Sequence, residues 1–244
     1  MVIEFRINDH YDRRADDVDP SMIILHYTQT KDFQALDDIF MGRNVVPEVG
    51  RVSAHYVVDV NGHVVQYVEE KHRAWHAGRS YWGGMRDINS HSFGVEIVHP
   101  GHDHIEEGYP FEQIEGVIEV CRHLVYEYSI KPWNILAHSD VAPDRKIDPG
   151  EFFPWQRVAD YGVGIWPDED NADAGTAEFL LGNPDGLKSH FASYGYDPDL
   201  PLDVIVMAFQ RHFEPTVFYG DGSPGQPTVR TVKRLLALSA VKGR

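Results

Sequence analysis

His26, His138 and Asp148 combine two imidazoles with a carboxylate, the donor mixture a catalytic zinc takes when one position stays open to water. His26 ends the apolar run Met22-Ile23-Ile24-Leu25, and His138 follows Ile135-Leu136-Ala137. Each therefore reads as lying at the mouth of a buried strand. Asp148 sits in a loop punctuated by Pro143 and Pro149-Gly150, and Lys146 lies two residues before it. In extended chain, residues two apart point to the same side, so the cation and the carboxylate face one place. A zinc held there would bring the pKa of water toward about 7. Glu96, among apolar neighbours in FGVEIV, would have a raised pKa and take the proton. Lys146 would face the oxyanion of a tetrahedral intermediate. The chemistry is metal-assisted amide hydrolysis. Each residue alone has a plainer reading: packing for a strand-end histidine, an ion pair for Glu96, a solvated side chain for Lys146. The spacing from His138 to Asp148 is not a standard zinc signature.

The elements that must position these groups alternate in type. A helix is expected from Asp32 to Met41, with Phe33, Leu36, Ile39 and Phe40 on one face and Gly42 as its stop. Ser53–Val60 and His63–Val68 flank Asn61-Gly62, which predicts a hairpin with a type I′ turn. KHRAWHAGRSYWGGMRDINSHS reads as an irregular, aromatic-rich excursion. Phe93–Val98 is a strand, and Phe111–Tyr128 is a helix with Ile114, Val117, Ile118, Cys121, Leu124, Val125 and Tyr128 on one face. Residues 1–20 are polar and expected on the surface. Strands interleaved with helices and one antiparallel hairpin predict an α/β fold, a central mixed sheet flanked by helices.

From Trp166 the texture changes. PDEDNADAG is acidic and without apolar periodicity, as a linker is. Segments near Gly186–Tyr194, Leu202–Phe213 and Pro227–Leu238 then read as a small C-terminal three-helix bundle. The expected domains are 1–165, a linker at 166–178, and 179–244.

With 244 residues, 42% hydrophobic and 25% charged, the chain is ordinary globular material. A formal net charge of -16 argues against a nucleic-acid partner and against docking on anionic lipid. One cysteine, Cys121, excludes an internal disulfide and an all-cysteine metal site. No run reaches membrane-spanning length, so no membrane insertion is expected, and the polar N-terminus does not read as a leader, with a periplasmic location the alternative if a leader has been removed. A cytoplasmic location follows as the expectation.

LHYTQT, RVSAHYVVDVNGHVVQYVEEKHRAWHAG, NSHSFGVEIVHPG and AHSDVAPDRKIDPGEFFPW follow one another over residues 20–157. That succession resembles the zinc-dependent N-acetylmuramoyl-L-alanine amidases of the amidase-2 group, which are related to peptidoglycan recognition proteins. The resemblance implies Zn2+ as cofactor and a muropeptide or peptidoglycan as substrate, cut between N-acetylmuramic acid and L-alanine of the stem peptide. It implies His26, His138 and Asp148 as metal ligands, with Glu96 and Lys146 as catalytic groups. The related recognition proteins carry a cysteine as third ligand, where this chain has Asp148. The tail, YGYDPDLPLDVIVMAFQRHF with a final amphipathic helix, resembles a peptidoglycan-binding-like helical module; a bundle that only packs on the catalytic domain is the competing reading.

Trp75, His76, Arg86 and Asn89, in the excursion, are candidate substrate contacts, against loop packing and solvated polar side chains as alternatives. His55 reads as structural, supporting a ligand from behind. Two other functions compete with the amidase: muropeptide recognition without cleavage, and a zinc peptidase or deacetylase. Absence of a leader favours recycling of 1,6-anhydro-muropeptides, while the tail module pulls toward export.

Overall fold

The computed structural model describes residues 2–15, 18–30, 32–44 and 51–243. The β-strands are β1 (Ile3–Phe5), β2 (Tyr11–Arg13), β3 (Met22–Tyr27), β4 (Tyr56–Val58), β5 (Val64–Gln66), β6 (His72–Ala74), β7 (Ser92–Ile97) and β8 (Ile135–Ala137). Six of them form one sheet in the order β1-β5-β4-β7-β3-β8. β3 runs parallel to β7 and β8, β4 is parallel to β7 and antiparallel to β5, and β1 is parallel to β5. The mixed sheet flanked by helices is the expected architecture.

Register places the chemistry. In the β3–β7 pair His26 stands beside Glu96, and in the β3–β8 pair Leu25 stands beside Ala137, the residue before His138. Three site residues thus emerge together at the ends of parallel strands, where open α/β sheets build their sites. Side chains alternate between faces. Ile23, Leu25, Phe93, Val95 and Ile97 enter a core with the helix α3 (Phe111–Tyr128), whose Ile114, Val117, Ile118, Cys121 and Leu124 are buried there. Met22, Ile24 and Leu136 belong to a second core, and His26, Ser92, Gly94 and Glu96 share their alternation.

The remaining helices are α1 (Phe33–Phe40), α2 (Ile88–His91), α4 (His138–Val141), α5 (Trp155–Asp160), α6 (Ala174–Leu181), α7 (Pro184–Tyr194), α8 (Leu202–Phe213) and α9 (Val229–Lys242). Helix α1 begins at Asp32, whose carboxylate accepts the Gln34 N–H. Its Leu36 and Phe40 pack on Val57, Val65 and Tyr67 of the hairpin.

Several expectations need correction. Residues 1–20, of which 1, 16 and 17 lie outside the described residues, contribute two strands. Asn8, His10 and Arg14 there are buried polar groups; Arg14 donates to the carbonyls of Asn89, Ser90 and Ser92, which no periodicity reveals. The excursion is likewise ordered: β6 pairs antiparallel with β2, and Arg73 bridges Asp12 and Asp87. The hairpin exists, but its turn is not type I′. Asn61 stays out of the left-handed region that type I′ requires, while Gly62 takes φ +81°. Gly62 N–H donates to Asp59 O and Asp59 N–H to His63 O, a longer turn with a glycine at the bulge.

Among the described residues the three expected C-terminal helices are present as α7, α8 and α9, and a fourth, α6, precedes them. Helix α6 begins inside the expected linker, where Asp173 caps it by accepting the Thr176 N–H. Phe191, Phe209, Phe213 and Leu235 of α7, α8 and α9 share one core with Met22, Ile24 and Leu136 of the sheet. The expected bundle, joined by α6, thus packs directly on the sheet.

Candidate metal centre and active site

Strand β3 delivers His26, and the β8–α4 junction delivers His138. The loop bearing Asp148 is tied back by Ser139 N–H donating to Asp148 O at 3.1 Å. His26 Nδ1 lies 2.9 Å from His138 Nδ1 and 3.2 Å from Asp148 Oδ2; His138 Nδ1 lies 3.0 Å from the same oxygen. All three residues are buried, and they are the group of side chains, among the described residues, able to hold a metal ion.

The donors fit a metal. His138 Nε2 faces the Ala77 carbonyl at 3.2 Å, closer than the Arg145 guanidinium at 3.5 Å, and donating to that carbonyl leaves Nδ1 as a bare lone pair. That lone pair, His26 Nδ1 and a carboxylate oxygen then converge, an arrangement that a cation resolves. Tetrahedral zinc with bonds of about 2.0–2.1 Å sets its donors roughly 3.3 Å apart, close to the separations seen. Burial, and then the neighbouring His138, push the His26 pKa down to about 4. Burial alone would raise the Asp148 carboxyl, but His138 and His26 hold it well below the usual carboxylate range.

A cavity of about 500 Å³ opens above the three donors, with Glu96, Trp75, Arg145 and Lys146 in its lining. Apolar Leu36, Ile39 and Phe40 of α1 form one wall. Glu96 as a whole keeps some solvent contact, while its Oε2 is buried without a hydrogen-bond partner. Burial, then the Asp148 charge, push its pKa up to about 8, against the opposing pull of Lys146. A carboxyl held near neutrality at the floor of a cavity can exchange a proton there.

The four excursion residues divide. Trp75 lines the cavity, its Nε1 donating to Asp12 Oδ2 at 2.7 Å. His76 lies at the cavity edge but is engaged by protein on both ring nitrogens, facing His26 Nε2 at 3.0 Å and Ser92 Oγ at 3.2 Å. Asn89 is buried, its Oδ1 accepting the N–H groups of His76 and Ala77 at 3.1 and 2.8 Å. Arg86 lies outside the cavity, against Asp197 and Asp199. The polar excursion thus supplies one wall group and a support, because its hydrogen bonds are spent internally. His55 does not reach a candidate ligand: its Nδ1 accepts the Gly94 N–H at 3.0 Å.

Sequence reading missed Arg145, which donates to the Arg79 carbonyl at 2.7 Å and to the Ala77 carbonyl. It also missed Asp140, whose carboxylate accepts the Ala137 N–H at 2.8 Å. The only signal for Asp140 was an acid three residues past a strand end, as in a helix cap.

The family model described as N-acetylmuramoyl-L-alanine amidase matches residues 16–151, more than half of the chain and the span that carries His26, Glu96, His138, Lys146 and Asp148. The chain belongs to the N-acetylmuramoyl-L-alanine amidase family. It is similar to AmiD of Escherichia coli strain K12, 36% identical over 220 residues that cover 82% of this chain and 77% of the relative. It is also similar to the 1,6-anhydro-N-acetylmuramyl-L-alanine amidase AmpD of Haemophilus influenzae, at 32% over 61% of this chain and 85% of AmpD. Among solved structures, E. coli AmiD in complex with anhydro-N-acetylmuramic acid-L-Ala-D-gamma-Glu-L-Lys superposes with TM-score 0.76 at 32% identity, covering 95% of this chain and 93% of that one. AMPDH3 from Pseudomonas aeruginosa superposes with TM-score 0.78 at 28% identity, covering 98% and 96%. The last two matches take in the C-terminal helices as well as the sheet.

Proposed function

We propose that this amidase cuts the amide between N-acetylmuramic acid and L-alanine of the peptidoglycan stem peptide, 1,6-anhydro-muramyl peptides included, with zinc held by His26, His138 and Asp148. The observation that carries the assignment is the convergence of three donor atoms within 3.2 Å beneath a cavity that also holds Glu96 and Lys146. Zinc in this position supplies Lewis-acid chemistry and activates water. Glu96, with its unpartnered Oε2, takes a proton from the attacking water and returns it to the leaving amine. Lys146, in the cavity lining, offers positive charge to the developing oxyanion. Trp75 presents an aromatic face to sugar or peptide, held by Asp12.

Support for the anhydro sugar comes from the relatives whose names and bound ligands carry it. The role that fits is turnover or recycling of wall fragments. A reducing, cytoplasmic setting suits the lone buried Cys121, and no helix among the described residues is long and apolar enough to cross a membrane. The catalytic unit is proposed as 1–165, with peptidoglycan binding by the outer face of the helical layer a separate proposal that sedimentation with insoluble wall would check.

The deciding experiment is mass-spectrometric analysis of purified protein with anhydro-muramyl-tripeptide, with and without a zinc chelator. Release of free tripeptide, abolished by chelator and restored by zinc, is the expected result. Intact substrate in the presence of stoichiometric zinc would instead return the chain to muropeptide recognition or to a different amide.

A further inference from the structure

The chain behind the metal centre is a line of groups each of which has one hydrogen-bonding role left. His26 Nε2 lies 3.0 Å from His76 Nδ1, and His76 Nε2 lies 3.2 Å from Ser92 Oγ. Ser92 Oγ–H donates to the Ile88 carbonyl at 2.6 Å. A carbonyl can only accept, so the direction of the whole line is fixed from that end. Ser92 Oγ accepts from His76 Nε2–H, which leaves His76 Nδ1 bare. His76 Nδ1 then accepts from His26 Nε2–H, and His26 Nδ1, the atom aimed at His138 and Asp148, is left with its lone pair free. The line thus sets the tautomer a metal-binding imidazole needs.

The neighbouring residue does the same for the other histidine. His138 Nε2 donates to the Ala77 carbonyl at 3.2 Å, the nearer of its two partners (Arg145 Nη2 lies at 3.5 Å), and its Nδ1 is then bare as well. One dipeptide, His76-Ala77, therefore stands behind both imidazoles, with a ring on one side and a carbonyl on the other. Its backbone is held by Asn89 Oδ1, which accepts both of its N–H groups at 3.1 and 2.8 Å. Its ring is held against Gly94, where a Cβ would fall 2.4 Å from His76 Cγ. Glycine at 94 is what lets the ring lie flat on β7, between Ser92 and Glu96 on the same face of that strand.

We infer that His76 is a positioning residue for the metal centre, fixing the tautomer and orientation of His26 through Ser92 and Ile88, and that it is not a substrate contact. The inference rests on the proposed zinc site. Outer partners of this kind characteristically change metal affinity about 10–100-fold when removed.

The test is zinc affinity, measured by competition with a chromophoric chelator at fixed pH, for the full chain and for His76→Leu, His76→Asn and Ser92→Ala. Apo-protein melting temperatures identify variants that fail to fold. His76→Leu fills the space without an acceptor and is expected to weaken zinc roughly 10–100-fold. His76→Asn places a carbonyl oxygen where Nδ1 stands and is expected to recover most of that loss. Ser92→Ala, which frees the ring to take the other tautomer, should fall between parent and His76→Leu. A cobalt-substituted His76→Leu should also show an altered visible spectrum. Parent-like zinc affinity in a folded His76→Leu, above all with a raised KM, would overturn the inference and make His76 a substrate contact. Equal losses for Leu and Asn would reduce the role to packing. Failure of the parent itself to bind one zinc would instead sink the metal assignment, a result distinct from either.

Discussion

His212 Nδ1 of helix α8 lies 2.7 Å from Oδ2 of Asp140, two residues past His138, with both side chains buried. Tyr196 Oη donates to the other oxygen of the same carboxylate at 2.6 Å. Since Asp140 also accepts the Ala137 N–H, α8 and the loop before it hold the turn that delivers a candidate metal ligand. A second buried link, Arg211 to Glu151 at 3.1 Å, ties α8 to the end of the Asp148 loop. His212→Ala strips one partner from a buried carboxylate and should cost about 3 kcal/mol, lowering Tm by roughly 6–12 °C. Differential scanning calorimetry checks the size, and a Tyr196→Phe variant with a smaller loss would confirm that the contacts are shared. An unchanged Tm for His212→Ala would show that the helices do not brace α4.

Glu96→Gln keeps shape and removes proton exchange. It should lower kcat about 10²–10⁴-fold while zinc affinity stays near that of the parent, because Glu96 donates no atom to the triad. Lys146→Met should also lower kcat with bound metal intact. Steady-state kinetics together with metal analysis of the same preparations separates these from ligand loss, in which both quantities fall.

Removing the metal should destabilise as well as inactivate. Without a cation, two imidazole nitrogens and a carboxylate oxygen face one another within 3.2 Å in a buried site. Zinc at about a thousandfold excess over its dissociation constant contributes roughly 4 kcal/mol, so chelation is expected to lower Tm by about 8–16 °C. Thermal melts with and without chelator measure it, and equal melts would count against a tight site.

Acid sensitivity should have an identifiable contribution from His55. Burial, then the nearby Arg14, push its pKa down to about 3 in the folded chain, against about 6.5 when unfolded. Between those values the unfolded chain binds a proton that the native chain does not. The contribution is thus fully present above about pH 6.5 and is lost as pH falls through the window, by roughly 1.4 kcal/mol per unit within it. His55→Asn keeps an acceptor for the Gly94 N–H and should show a flatter stability profile than the parent between pH 6 and 4. Urea unfolding of both proteins in chelator, compared at each pH, isolates that difference.

Much of the site was legible because periodicity and chemistry agreed. Continuous apolar runs marked β3 and β8 as covered strands, and a histidine directly after such a run falls at the strand's C-terminal end, where His26 and His138 stand. The helix Phe111–Tyr128 was read to its ends from its apolar face. What was not legible depended on contacts distant in sequence. β2 and β6 are short and polar, held by Arg73 between Asp12 and Asp87, and neither strand carries a pattern of its own. Asn89 and Arg86 look alike in sequence as polar loop residues. One caps the His76-Ala77 backbone and the other pairs with the α7–α8 loop, a difference set by pairing partners far along the chain. Helix α6 was hidden by the acidic text of its N-cap region, since Asp173 reads equally as linker and as helix start.

The six residues of β3 carry a consequence for the order in which the molecule is made. Met22 and Ile24 enter a core completed by Phe191, Phe209 and Leu235, so this early strand finds its last neighbours only when the far end of the chain has left the ribosome. Contacts of such long sequence separation are slow to form. During synthesis the six-stranded sheet, whose last strand ends at Ala137, therefore stands with one face uncovered until α7, α8 and α9 close over it.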